Sequence, residues 1–279
     1  MGELRVEGLR KHYPAKRGSG IHSPLRVFDD MTFTVGEGEF ASVIGASGCG
    51  KTTVLNLIAG LDTPSAGSIF VDGRAVNGPG LDRGVVFQEF ALFPWLTVAG
   101  NIGFGLRSMG VPAGERTRRV AHVVDLVGLK NFADYYPNRL SGGMRQRVGL
   151  GRALAVDPAV LLMDEPFGAL DAQTRDAMQN ALAEIWIKTR KTVLFITHDI
   201  REAIFLSDRV LVLAGQPSQI VLDLPIELPR PRSRHDAKFQ AKEQMLERAI
   251  GASVGRSGDT ADGPDTGAAT APHRAMQSR

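Results

Sequence analysis

Three observations predict an α/β fold for this chain, with a mostly parallel sheet joined by right-handed crossovers and interrupted by a block of helices. Short apolar runs alternate with segments of helical period between residues 40 and 60, and again between 160 and 213. A glycine-rich loop separates the first buried run from the helix that follows it. From about residue 96 to 157 the pattern is helical throughout.

Each element has a local reason. Residues 3–9 and 26–35 alternate in polarity as half-buried strands do, and KHYPAKRGSGIHSP between them is a Gly/Pro/Ser-rich loop. Phe40 to Ile44 reads as a buried strand, followed by a helix over 51–60. Residues 68–72 and 84–88 suit short strands around the turns at Asp72-Gly73 and Asn77-Gly78, with Gln88 closing the second. Helical period covers 97–108, 114–128 and 143–156. Then come a strand at Val160 to Met163, a helix at 172–189, a strand at Thr192 to Thr197, a helix at 200–206 and a strand at Val210 to Leu213. These spans predict a domain over 3–235 with the helical block inserted at about 96–157, and a C-terminal helix over 236–250. Residues 251–279 are small, polar and almost free of large apolar side chains, the composition of a disordered tail.

Composition narrows the function classes. The 279 residues are 43% hydrophobic and 23% charged with a formal net charge of +3, ordinary for a soluble globular protein. The arginines are scattered without an aromatic stacking pattern, so nucleic acid is not an expected partner. One cysteine, Cys49, excludes an intramolecular disulfide, and its place in the glycine loop near a helix N-terminus predicts a thiolate-prone, alkylatable thiol. The N-terminus lacks the apolar core of a signal peptide, and no apolar run reaches the length of a membrane span.

The chemistry-bearing residues cluster in a few motifs. Gly45-Ala46-Ser47-Gly48-Cys49-Gly50-Lys51-Thr52 fits G-x-x-x-x-G-K-S/T between a strand and a helix, with Thr53 on the first helical turn. Such a loop closes backbone N–H groups around phosphates, with Lys51 reaching the β- and γ-phosphates and Thr52 offering its hydroxyl to Mg²⁺. The strand before Asp164 and Glu165 puts two carboxylates at its C-terminal end, where open α/β sheets bind ligands. Asp164 is placed to hold Mg²⁺ and Glu165 to accept a proton from an attacking water. His198 ends another apolar strand at the same edge, and Gln88 offers a neutral amide to the metal or the water. Ser141 caps a helix opened by Gly142 and Gly143, a second N-terminus that favours anions. Glu89 to Trp95 (EFALFPW) suits either a docking surface or packing for the helical block.

Over residues 3 to 230 these motifs, in this order, resemble the ATP-binding-cassette (ABC) ATPases of membrane transporters. GASGCGKT, Gln88, the LSGGM signature, LLMDEP, the loop Gly168 to Asp171 and His198 carry the resemblance. It implies a P-loop NTPase fold: a RecA-like parallel core with an antiparallel β subdomain and an inserted helical signature subdomain. It also implies ATP and Mg²⁺ as ligands, and Tyr13 stacked on adenine. Two copies would pair head to tail, so that Ser141, Gly142 and Gly143 touch the γ-phosphate of the partner's site and Asp171 aligns the two sites. Transmembrane permease subunits, and indirectly an extracytoplasmic solute-binding protein, would complete the assembly on the cytoplasmic face of the inner membrane.

Met144 stands where many members have glutamine, and Gly151 where alanine is commoner. SGGMRQR, together with LPRPR at 228–232, resembles the importer branch for nitrate, sulfonates and taurine. The rival readings are the ATPase of an exporter or lipoprotein-release system, and a soluble ABC ATPase acting on ribosomes or DNA. The latter type carries two cassettes or a long coiled coil, and neither is present in this sequence.

Overall fold

The computed structural model of the chain describes residues 2–14 and 24–258, with 252–258 described by backbone alone. Most of the basic loop after Pro14 and the segment from 259 onward, the bulk of the expected disordered tail, lie outside the described residues. In order the elements are β1 (Leu4–Tyr13), β2 (Leu25–Val35), β3 (Phe40–Gly45), α1 (Lys51–Ala59), β4 (Ala66–Val71), β5 (Arg74–Ala75), β6 (Arg83–Val86), α2 (Val98–Ile102), α3 (Phe104–Ser108), α4 (Ala113–Leu126), α5 (Gly142–Ala155), β7 (Val160–Asp164), α6 (Ala172–Thr189), β8 (Thr192–Ile196), α7 (Ile200–Leu206), β9 (Arg209–Ala214), β10 (Gln219–Pro225) and α8 (Ala237–Gly258).

Two sheets organise them. β2-β1-β4-β5 is an antiparallel sheet, and β10-β9-β3-β8-β7-β6 is parallel except for its β10 edge. Both faces of the parallel sheet are covered, which is why its strands are continuously apolar. The period-2 alternation sorts the side chains. Ala41, Val43, Val160, Leu162, Leu194, Ile196, Leu211 and Leu213 join the cluster that includes β1, β2 and α1 residues. Phe40, Ile44, Leu161, Met163, Val193, Phe195, Val210 and Val212 join the other, with the helical block, α6, α7 and α8.

Several elements depart from the expected bounds. β1 runs on to Tyr13, bending at register shifts between Val6 and Leu9 where Gly8 takes φ +55°. β6 stops at Val86, so Gln88 is not in the strand but two residues past it, exposed. The predicted 97–108 helix is two short helices broken at Gly103. β10 pairs with β9 as an edge strand, with Gln219, Val221, Asp223 and Pro225 exposed on one face. The C-terminal helix, anchored to the core by the fully buried Phe239 and Leu246, continues past 250 to Gly258 and so takes the first residues of the expected disordered tail.

One side chain joins the helical block to the aromatic segment before it. Asn101 is fully buried in α2, its amide nitrogen donating to the carbonyls of Phe93, Leu96 and Thr97 while its oxygen accepts from Phe93 N–H at 2.9 Å. Phe93 stacks on Phe104 with centroids 4.4 Å apart, and Phe90 and Leu92 pack against the core. Much of EFALFPW is therefore packing, but Trp95 remains 70% exposed. Replacing Asn101 with alanine strands these buried backbone groups, and should lower stability by about 3 kcal/mol. Urea unfolding should show a lower midpoint at unchanged slope; an unchanged midpoint would mean water replaces the amide without loss.

Candidate nucleotide site

The site forms where three parallel strands end. β3 leads into the glycine loop, β7 into Asp164 and Glu165, and β8 into Thr197 and His198. Gly50 is the turning point of the loop. It takes φ +88°, and a Cβ there would lie 2.5 Å from Val27 Cγ1 and 2.8 Å from Phe28 Cε1, so only glycine lets α1 start against β2. Ala46, Ser47 and Gly48 are exposed on the open side of the loop.

Lys51 is buried, and its ammonium donates to Gly45 O at 2.8 Å and Ala46 O at 3.0 Å. An ammonium has three N–H groups, so one remains for an anion held by the loop. Thr52 Oγ1 donates to Asp164 Oδ1 at 3.4 Å, which brings a hydroxyl and a carboxylate together across α1 and β7. Burial raises the Asp164 pKa and Glu165 adds to the rise; the Thr52 hydrogen bond and the Lys51 charge oppose it. A half-buried carboxylate whose charge is disfavoured in this way gains from a cation beside it.

Glu165 occupies the left-handed region at φ +42° while its N–H still donates to Ile196 O at 2.9 Å. A non-glycine residue held there costs about 1–3 kcal/mol, a strain typical of functional positions. Its Oε2 lies 3.0 Å from His198 Nδ1, and the His198 side chain is otherwise 63% exposed. Gln88 approaches the same turn: its amide nitrogen would be 3.5 Å from a Cβ built on Gly168. Lys51, Thr52, Asp164, Glu165 and His198 thus share one edge, with Gln88 flanking it.

The remaining predicted residues lie elsewhere. Ser141 caps α5 by accepting from Met144 N–H at 3.3 Å, which leaves Gly142 and Gly143 at the helix start. Gly143 has no room for a side chain, because a Cβ would sit 2.7 Å from Thr174 Cγ2; one on Gly142 would meet Leu170 at 3.2 Å. The signature therefore packs on the 168–174 segment of its own chain. Its hydrogen bonds among the described residues include none to the glycine loop. Asp171 caps α6, accepting from Thr174 N–H at 3.0 Å, and that bond lowers its pKa. Tyr13 donates to Asp62 at 2.8 Å and carries Lys11 over its ring at 4.6 Å, with 37% of the residue exposed. Met144 is half-buried against the core, a packing role.

Cys49 corrects one expectation. Its position before a helix N-terminus favours a thiolate in the sequence, but the side chain turns into the core at 8% exposure. Burial pushes the thiol pKa up, and Lys51 and nearby backbone N–H groups offset this only in part. Sequence reading also passes over Asn101, Lys11, Asp62, Gln179 and Glu202. Lys11 and Asp62, like Gln179 and Glu202, are partners distant in the chain, while Asn101 bonds to the loop just before its own helix, and no spacing motif marks any of them.

Comparison with known proteins adds to this geometry. The ABC transporter family profile matches residues 28–168. The nitrate import ATP-binding protein of a Synechocystis species is 49% identical over 81% of this chain and 83% of its own length. The taurine import ATP-binding protein of Rhizobium johnstonii is 48% identical over 81% of this chain and 85% of its own. A dimeric ATP-binding cassette in a post-hydrolysis state bound to ADP and Pi superposes with a TM-score of 0.68 at 30% identity, covering 81% of this chain and all of that one.

The buried thiol sets an expectation of its own. Cys49 should react with a neutral maleimide at pH 7 about tenfold or more slower in the folded protein than in the urea-unfolded chain, with a rate still rising through pH 9. Equal rates in the two states would place the sulfur at the surface.

Proposed function

The chain belongs to the ABC transporter family, and we propose that within it this ATPase is the subunit energising an importer for a small anion such as nitrate, a sulfonate or taurine. The convergence of Lys51, Thr52, Asp164, Glu165 and His198 on one sheet edge carries the ATPase side of that reading. The identities of 48–49% to nitrate and taurine import proteins over four-fifths of the chain support the importer side.

ATP is the substrate. The glycine loop and Lys51 bind its phosphates, the positive end of α1 adding to the attraction. Thr52 and Asp164 are hard oxygen donors already in contact, and they suit Mg²⁺ sharing its shell with phosphate and water. Among the described residues no group of three or more His, Cys, Asp or Glu forms a metal cage, which fits an ion that arrives with the nucleotide. Bound there, Mg²⁺ supplies charge neutralisation at the transferring phosphoryl group. Glu165 then accepts the proton of the attacking water, and His198, on Glu165 through Nδ1, orients that carboxylate and reaches the γ-phosphate. Gln88, close to the same turn, flanks the water. Tyr13 offers an aromatic face to adenine from across α1.

The signature lies apart from the glycine loop of its own chain, so a second copy in head-to-tail arrangement would present Ser141, Gly142 and Gly143 to the γ-phosphate. The dimeric form of the similar cassette supports that pairing. Among the described residues no helix is long and apolar enough to cross a membrane, so contact with a permease falls to the surface. A groove of about 680 Å³ between α2, α3 and α4, lined by Gly103, Arg107, Arg116 and Val120, connects through Arg107, whose guanidinium lies over Phe104, to the Phe104–Phe93–Trp95 stack and suits a permease helix. The permease would receive its solute from an extracytoplasmic binding protein, with this subunit peripheral on the cytoplasmic face.

Glu165→Gln keeps the hydrogen-bonding shape but removes the base. It should retain ATP binding and form an ATP-dependent dimer on size exclusion, with turnover reduced by about a thousandfold. Turnover near that of the parent would remove Glu165 from the base role. Trp95→Ala should leave ATP affinity unchanged while weakening co-purification with the permease; undiminished co-purification would move the docking surface away from this groove.

A further inference from the structure

The segment LPRPRSR (228–234) carries arginines at alternate positions, and all three fold back onto the protein. Arg232 is buried, its guanidinium donating to the carbonyls of Ile204, Phe205 and Ser207, and to Ile226 and Leu228. Burial lowers its pKa to about 10, with Arg230 contributing and Asp208 opposing, so it stays charged at neutral pH. Arg230 donates to Leu206 O and Asp208 and stacks over Trp186 at 4.3 Å. The carbonyls at the C-terminal end of α7 are thus covered by two guanidinium groups, the charge sign that a helix C-terminus favours. α7 is only seven residues long, and its N-cap, Asp199, directly follows His198. Whatever fixes one end of so short a helix fixes the other.

A second line runs from the same segment to the histidine. Arg234 lies over the Phe205 ring at 4.3 Å and donates to Gln179 Oε1. The Gln179 amide donates in turn to Glu202 Oε1 at 2.8 Å. Glu202 is 4% exposed in the first turn of α7, where its N–H donates to Asp199 Oδ1 at 3.1 Å, and the hydroxyl of Thr197, the residue before His198, opposes the rise that burial imposes on its pKa. Glu202 and Arg175 line the same small void, of about 40 Å³, as Glu165 and His198. Gln179 and Glu202 are almost fully buried, and a network like this is costly to desolvate and gains its value from the geometry it imposes.

We propose that the arginine segment, with Gln179 and Glu202, is a positioning clamp for His198. It holds α7 from its C-terminus through Arg230 and Arg232, and holds the 197–199 turn through Arg234, Gln179 and Glu202. None of these side chains touches nucleotide; they set where the imidazole stands relative to Glu165. The clamp rests on the reading of Glu165 and His198 as the γ-phosphate side of the site.

Arg234→Met in the full-length protein tests it. ATP turnover should fall about fivefold to tenfold at unchanged KM for ATP, with Arg234→Lys recovering most of the loss. In histidine-labelled protein, the His198 imidazole signal, assigned by its disappearance in His198→Ala, should shift and broaden in Arg234→Met while that of His122 stays in place. Gln179→Leu should act in the same direction and replaces Arg234→Met if that protein is insoluble. An unmoved His198 signal in either variant, or unchanged turnover, overturns the clamp. Glu165→Gln is run alongside: full activity there with a moved His198 signal would instead overturn the assignment of the site and leave the clamp standing.

Discussion

Register in the parallel sheet is the constraint on which the site depends. Val43 on β3 and Asp164 on β7 both face Ile196 on β8, so three strands end on one row. The ladder continues one residue past that row on each side: Thr197 N–H donates to Val43 O, and Glu165 N–H to Ile196 O. The glycine loop, the carboxylate pair and the histidine therefore leave the sheet at the same height. A slip of one residue between β7 and β8 would turn Leu161 and Met163 to the opposite face and carry Glu165 away from His198. The two apolar clusters make such a slip costly, because each claims alternate residues of every central strand. Core packing and the geometry of the candidate site are here one requirement.

The helical block occupies the crossover between neighbouring strands β6 and β7, so it is held where the site is built. Its attachment is polar as well as apolar. Asn101 ties α2 to the aromatic segment, and Arg152 on α5 donates to Ala91 O while its guanidinium lies over Phe93. Backbone carbonyls that have left regular structure but remain under the surface need such donors. The outcome is a segment after Gln88 whose middle is fixed and whose Trp95 projects outward.

Most of this architecture was legible in the residues. The central strands announce themselves because a sheet buried on both faces needs unbroken apolar runs, and the glycine loop needs its glycines at fixed positions. Legibility failed where the cause is not local. β10 is an edge strand whose short apolar run is interrupted by Asp223, so it does not read as a buried strand; the break at Gly103 has no proline to mark it. Cys49 reads as a reactive thiol because the helix start is visible in sequence, whereas its turn toward β3 and β9 is not. LPRPR was visible as a pattern, but the carbonyls that tie it to the end of α7 lie more than twenty residues upstream.

Helix α6 links these parts. Its N-terminus, capped by Asp171, meets the signature through Thr174 and Leu170, while Arg175 donates back to Leu170 O. One turn further, Gln179 reaches Glu202 and the strand end that carries His198. Gly143 leaves no gap against Thr174, so a displacement of the signature helix presses on the first turn of α6. A well-packed helix moves as a body, because interiors at this density transmit strain instead of absorbing it. In the proposed dimer each signature closes on the partner's nucleotide, and the same contact would then bear on the histidine of its own site. Communication between the two sites would need no element beyond the packing of Gly143 on α6 and of α6 on Glu202.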